Sequence, residues 1–148
     1  MTPALSKKSI SQEAADFLLA EAKKAAIEIG VPMVIAVADE SGVLKAFVRM
    51  DNAALLSVNI AQDKAYTAVS FGIPTHGWFD FIKNDPPLLH GIVKTPRLVV
   101  FGGGYPISLG GQIIGGIGVS GGHYEQDMKV AEAALKAFEN SLPRENLP

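Results

Sequence analysis

Ten of the chain's fifteen glycines fall within residues 101–127, FGGGYPISLGGQIIGGIGVSGGHYEQD, and this stretch limits the fold more than any other. A dinucleotide-binding loop does not account for it. A Gly-x-Gly-x-x-Gly fingerprint follows a strand, opens a helix and is answered by an acidic residue about 20 positions on. Here the glycines recur inside runs of Ile, Val and Leu that have strand character. The segment reads as a strand ending at Phe101, a triple-glycine turn, a strand over 105–109 and a turn at Gly110-Gly111. A glycine-studded strand over 112–119 follows, and Gly121-Gly122 turn the chain into a helix. Glycine inside a strand gives up packing and backbone entropy, and it marks a bulge or a close approach by something else. A ligand, a helix backbone or another subunit is therefore expected against this sheet.

The rest of the chain supplies partners for that sheet. Ser9 and Gln12 are spaced for a capping box. Ile10, Ala14, Phe17, Leu18, Ala22, Ala25 and Ile29 then recur at helical spacing up to Gly30 and Pro32. Residues 33–38 and 43–50 read as a hairpin about the turn at 39–42. Asp51 or Asn52 is placed to cap a helix over 54–71, on which Ala61, Ala65 and Ala68 form a stripe of small residues that lets a backbone come close. Thr75 is placed to cap a short helix over 76–83, which Asp85-Pro86-Pro87 breaks. Residues 88–94 read as a loop and 97–101 as a strand. A last helix runs from Glu125 to about Leu142, where Pro143 stops it. This order predicts a single-domain α/β/α sandwich around a roughly five-stranded antiparallel sheet, with the domain over 9–142 and tails at 1–8 and 143–148. A length of 148 residues is enough to bury a core.

Several function classes drop out. The chain has no cysteine, which excludes disulfides, thiolate metal sites and thiol nucleophiles. A net charge of −2 argues against electrostatically driven nucleic-acid binding. No apolar run approaches the ~20 residues of a membrane span, and no apolar segment follows Lys7 and Lys8 as in a secretory signal, so a cytoplasmic protein is expected.

Candidate chemistry centres on a few side chains. Asp63 and Lys64 lie mid-helix among small residues; Lys64 either holds a ligand carboxylate or belongs to a solvated face. Arg49 is either a carboxylate clamp or half of a surface ion pair. Among His76, His90 and His123, the last follows Gly121-Gly122 at a helix start, where free N–H groups favour an anion. The bland alternative is a turn and cap, supported by Glu125 and Asp127 in the first helical turn. Trp78, Phe79, Phe81 and Pro86-Pro87 wall a pocket, form a subunit contact or fill the core. Gly118-Val119-Ser120-Gly121-Gly122 satisfies the Gly-x-Ser-x-Gly pattern, but that nucleophile elbow belongs to larger parallel-sheet hydrolases. The expected ligand site is the meeting point of Gly103, Gly104 and Tyr105 with Gly121, Gly122 and His123 and with the Asp63-Lys64 helix.

The strings 34–39, Arg49-Met50-Asp51, Asp63-Lys64-Ala65-Tyr66-Thr67-Ala68, 101–107 and 116–127 together resemble one family, GlcG/HbpS, also called DUF336, which includes PduO C-terminal-like domains. The resemblance spans about residues 9–140. It implies a profilin-like or roadblock-like α/β fold, homo-oligomers from dimer to octamer and, in some members, haem binding or degradation. With haem or another flat, carboxylate-bearing molecule as ligand, His123 is then the expected metal ligand or propionate contact, ahead of His76 and His90. The chain departs from the family pattern at Val43, where many relatives have histidine, and at Asn52, where glycine is usual. The rival expectations are a tautomerase-, hydratase- or deaminase-type enzyme and an assembly protein with a vestigial pocket. Asp63, Lys64, Glu125 and His123 would be the enzyme's acid–base groups.

Overall fold

The structure is a computed structural model and describes residues 1–147; Pro148, the end of the expected C-terminal tail, lies outside the described residues. Its elements in chain order are α1 (Gln12–Ile29), β1 (Val34–Asp39), β2 (Leu44–Arg49), α2 (Ser57–Phe71), α3 (Gly77–Ile82), α4 (Pro86–Gly91), β3 (Gly104–Leu109), β4 (Gln112–Ser120) and α5 (Tyr124–Ser141). The strands form one antiparallel sheet in the order β2-β1-β4-β3.

Strand alternation sorts the side chains into two layers. On one face, Ile35 and Val37 of β1 and Ile117 and Val119 of β4 pack with Leu18 and Ala22 of α1 and Val130, Ala134 and Phe138 of α5. On the other face, Val34 and Ala36 meet Ala61 of α2. Gly116 and Gly118 of β4 point the same way and let α2 lie directly on the sheet. A Cβ on Gly116 would sit 2.5 Å from the carbonyl oxygen of Ala65, and one on Gly118 would collide with that of Ala61. Of the three occupants expected against the glycine-rich sheet, the structure shows the helix backbone, and the alanine stripe is its contact surface.

The sheet has four strands among the described residues, one fewer than the sequence suggested. Residues 97–101 are not part of the ladder. Thr67 of α2 claims their backbone instead: its hydroxyl donates to the Arg97 carbonyl at 2.7 Å and accepts from Val99 N at 3.0 Å. Arg97 also has a left-handed φ of 67°, which interrupts any strand.

Caps account for the other differences. Ser11, not Ser9, caps α1 by accepting from Ala14 N at 3.1 Å. No side chain caps α2, which starts at Ser57; Asn52 lies in the preceding turn with φ 66°, a conformation that explains glycine at this position in relatives. Thr75 does not cap α3, because its hydroxyl accepts from Gly104 N at 2.9 Å. Asp85-Pro86-Pro87 ends one helix and begins another: Asp85 caps α4 and Pro86 occupies its first turn, where a missing N–H costs nothing.

Candidate functional site

The expected meeting point exists, and its centre is a buried ion pair. Lys64 lies on the inward face of α2 with Ala61 and Ala68, and is 0% exposed. Its ammonium donates to Asp127 Oδ2 and to the carbonyl oxygen of Val119, each at 2.8 Å. Asp127, in the first turn of α5, also accepts from Gly122 N through Oδ1 at 3.0 Å. The loop at Gly103 closes over the pair, since a Cβ there would lie 2.6 Å from the lysine nitrogen. The Phe101 ring centroid is 5.1 Å from the same nitrogen. The pair thus ties α2, the end of β4 and the start of α5 together beneath the triple-glycine turn. Burial pushes the Lys64 ammonium down from its ordinary value and the Asp127 carboxyl up, and their mutual attraction opposes both shifts.

The pair's chemistry is that of a brace. Both of its charges are neutralised within the protein and hidden from water, so Lys64 presents no free ammonium to a ligand carboxylate. Asp63 faces the other way and accepts from Arg97 Nε at 2.9 Å. Glu125 is exposed in the first turn of α5. Asp63, Lys64 and Glu125 therefore do not share a site. Arg49 serves its own loop by donating twice to the carbonyl oxygen of Ala53, at 3.2 and 2.9 Å. Tyr105 is turned into the sheet's inner face and donates its hydroxyl to Glu132 at 2.6 Å. Burial, helped by Glu132, holds its phenol well above the usual range. Ser120 is buried against the hydroxyl of Ser57 at 3.1 Å.

His123 caps α5. Its Nδ1 accepts from Glu125 N at 3.3 Å, and Gln126 completes a capping box by accepting from His123 N at 3.1 Å. His76 heads α3 without a side-chain cap bond, next to the triple-glycine turn and 5.6 Å, ring to ring, from Tyr105. His90 is exposed on α4. Val43, at the position often occupied by histidine in relatives, is 60% exposed in the hairpin. Among the described residues no three His, Asp or Glu side chains cluster to hold a metal ion, and no helix is long and apolar enough to cross a membrane.

Comparison with known proteins agrees with this architecture. A family model described as haem degrading protein HbpS-like matches residues 10–136. An uncharacterised 15.0 kDa protein of Citrobacter freundii, from the dhaT-dhaS intergenic region, is 42% identical over 137 residues, covering 86% of this chain and 96% of that one. The crystal structure of Klebsiella pneumoniae ORFY, a DUF336 protein, superposes with a TM-score of 0.89 at 35% identity, over 97% of this chain and 99% of that one. The crystal structure of a PduOC:haem complex superposes with a TM-score of 0.81 at 36% identity, over 87% of this chain and 94% of that one.

Proposed function

The chain belongs to the haem-degrading HbpS-like family, and from that membership we propose that it binds haem on the face where residues 101–105 meet the start of α5. The observation that carries this reading is the similarity to PduOC, a relative crystallised with haem. The residues present fit such a group. Phe101 and Tyr124 are 43% and 44% exposed and supply apolar surface for a flat macrocycle. His76 beside the triple-glycine turn and His123 at the start of α5 supply imidazoles, and bound haem would contribute iron chemistry set by its axial ligand. The floor of this face is filled by Lys64 and Asp127, so the ligand lies on one copy and is covered by a second. The functional unit is then a homo-oligomer between dimer and octamer.

The cap geometry divides the two histidines. A neutral His123 that accepts at Nδ1 carries its proton on Nε2. Iron ligation through Nε2 moves that proton to Nδ1 and gives up the cap, a loss of about 0.5–2 kcal/mol. His123 is better suited to donate from Nε2 to a propionate. Iron ligation falls to His76, which gives up no cap. Of the two roles expected of His123, this keeps the propionate and passes the iron to His76, and the bond from Glu125 N is the reason. Hemin titration tests it. Wild type should show a saturable Soret shift; His76→Ala should lose its sharpness, and His123→Ala should weaken binding with the band position unchanged. Absence of saturable hemin binding by wild type would overturn the proposal. The acid–base enzyme reading gains no support from a structure in which Asp63, Lys64 and Glu125 serve separate contacts.

A further inference from the structure

Away from the proposed haem face, α2, α3 and the segment after α4 enclose an apolar cleft of ≈ 240 Å³. Its walls include Tyr66, Phe71, Trp78, Ile92, Pro96 and Leu98, and none of the three histidines lines it. Its size falls below the ~300–1,000 Å³ typical of sites for drug-sized ligands, which suits a single ring rather than a porphyrin.

Trp78 lines the cleft but is 1% exposed, and its indole nitrogen is buried away from the open space. The feature of the lining that points to a ligand is Arg97. Leu98 N donates to the Thr95 carbonyl across Pro96 and Arg97, closing a turn at 3.3 Å. Arg97 occupies the third position of that turn with φ 67°, a conformation that glycine or asparagine adopts more easily. Its guanidinium is held 3.9 Å from the Tyr66 ring centroid, and Nε is engaged by Asp63. That leaves the Nη1–Nη2 end of the fork available for a second, two-point carboxylate contact. The other hydroxyls in the wall are already used: Thr67 by the 97–99 backbone, and Ser70 by the Tyr66 carbonyl. The cleft is thus apolar with an arginine on its lining.

We propose that this cleft is a second ligand site, independent of the haem reading, for a small monocyclic carboxylate. The ring packs among Tyr66, Phe71 and Pro96 over Trp78, and the carboxylate engages the free end of the Arg97 guanidinium. Asp63 neutralises part of the arginine's charge, so recognition depends on fork geometry more than on net attraction.

Trp78 is the chain's one tryptophan, so its emission reports on the cleft without interference. Benzoate is the probe and benzamide its uncharged counterpart, titrated against full-length protein. Benzoate should change the emission saturably, and benzamide should bind at least about tenfold more weakly. Arg97→Asn, which suits the left-handed turn, should weaken benzoate by at least about tenfold and leave benzamide unchanged. Arg97→Gly serves as a second variant if the first melts differently from wild type. No saturable response to benzoate overturns the proposal, as does equal affinity for the two probes. A benzoate response that appears only when the protein is diluted also overturns it, because the cleft of the assembled protein is then covered by a second copy of the chain.

Discussion

At the scale of single residues, the side chain with the greatest consequence is a lysine that touches no solvent. The sequence held the signal for its burial: Lys64 falls seven positions after Ser57 and three after Ala61, on the same face of α2 as Ala68. What it did not show was the partner, because Asp127 lies 63 positions away and looks like an ordinary first-turn acid. Removing one member of a buried pair strands the other, so Lys64→Met alone should destabilise the fold by about 3–5 kcal/mol. Lys64→Met with Asp127→Leu should recover most of that loss. Urea denaturation of the three proteins gives the comparison, and an unperturbed single mutant would show that the pair does not brace the fold. Tyr105 gives a pH-dependent prediction. Its folded phenol titrates above the ordinary tyrosine value of 10.0. As pH rises past that value the unfolded chain releases its proton first, so the stability contributed by Tyr105 is present below it and is lost above it. Tyr105→Phe should therefore be less stable at neutral pH and show a shallower fall in Tm at alkaline pH. A fall as steep as that of wild type would exclude Tyr105 as its source.

At the scale of elements, most helices and both hairpin partners were legible because hydrophobic period and turn residues agree there. Residues 97–101 were not, because an apolar run of five does not say whether a ladder or a side chain will take its backbone, and here Thr67 takes it. The glycine-rich strand was legible as a close contact but not as to which element makes it. The structure pairs Gly116 and Gly118 with Ala65 and Ala61, so α2 and β4 are matched surfaces. Gly118→Ala should then act by displacing a helix rather than by strain at φ. Collision with the Ala61 carbonyl predicts a loss of at least about 1–3 kcal/mol, larger still for Gly118→Val. Gly111→Ala, where added atoms meet nothing within 4 Å, is the comparison for a purely conformational effect. Thermal melts in which the Gly118 variants match wild type would mean that the contact between α2 and β4 has room to spare.

At the scale of the whole molecule, the sequence pointed to an oligomer and the distribution of apolar surface gives that expectation a location. Trp78 faces inward from α3, whereas Phe79 and Phe81 are 54% and 60% exposed, and the neighbouring Phe71 at the end of α2 is 63% exposed. The aromatic segment therefore divides between core filling and surface, two roles that composition alone could not separate. Scattered exposed apolar residues are ordinary, but Phe71 and Phe81 both lie against Trp78, with ring centroids 4.8 and 5.9 Å from it, and make exposed aromatic surface of the kind that symmetric contacts cover. Such a contact would also bring a second copy near the cleft lined by Phe71 and Trp78, which is why dilution is part of the ligand test. Light scattering at micromolar concentration should give a mass that is a multiple of 15.6 kDa. Phe79→Ser with Phe81→Ser should lower that mass while leaving the far-ultraviolet circular dichroism unchanged, since neither ring belongs to the buried core. A monomeric wild type would remove the second copy on which the proposed haem site depends. An intact oligomer in the double mutant would move the interface to another face, with the exposed Leu55 and Leu56 ahead of α2 as the next surface to alter.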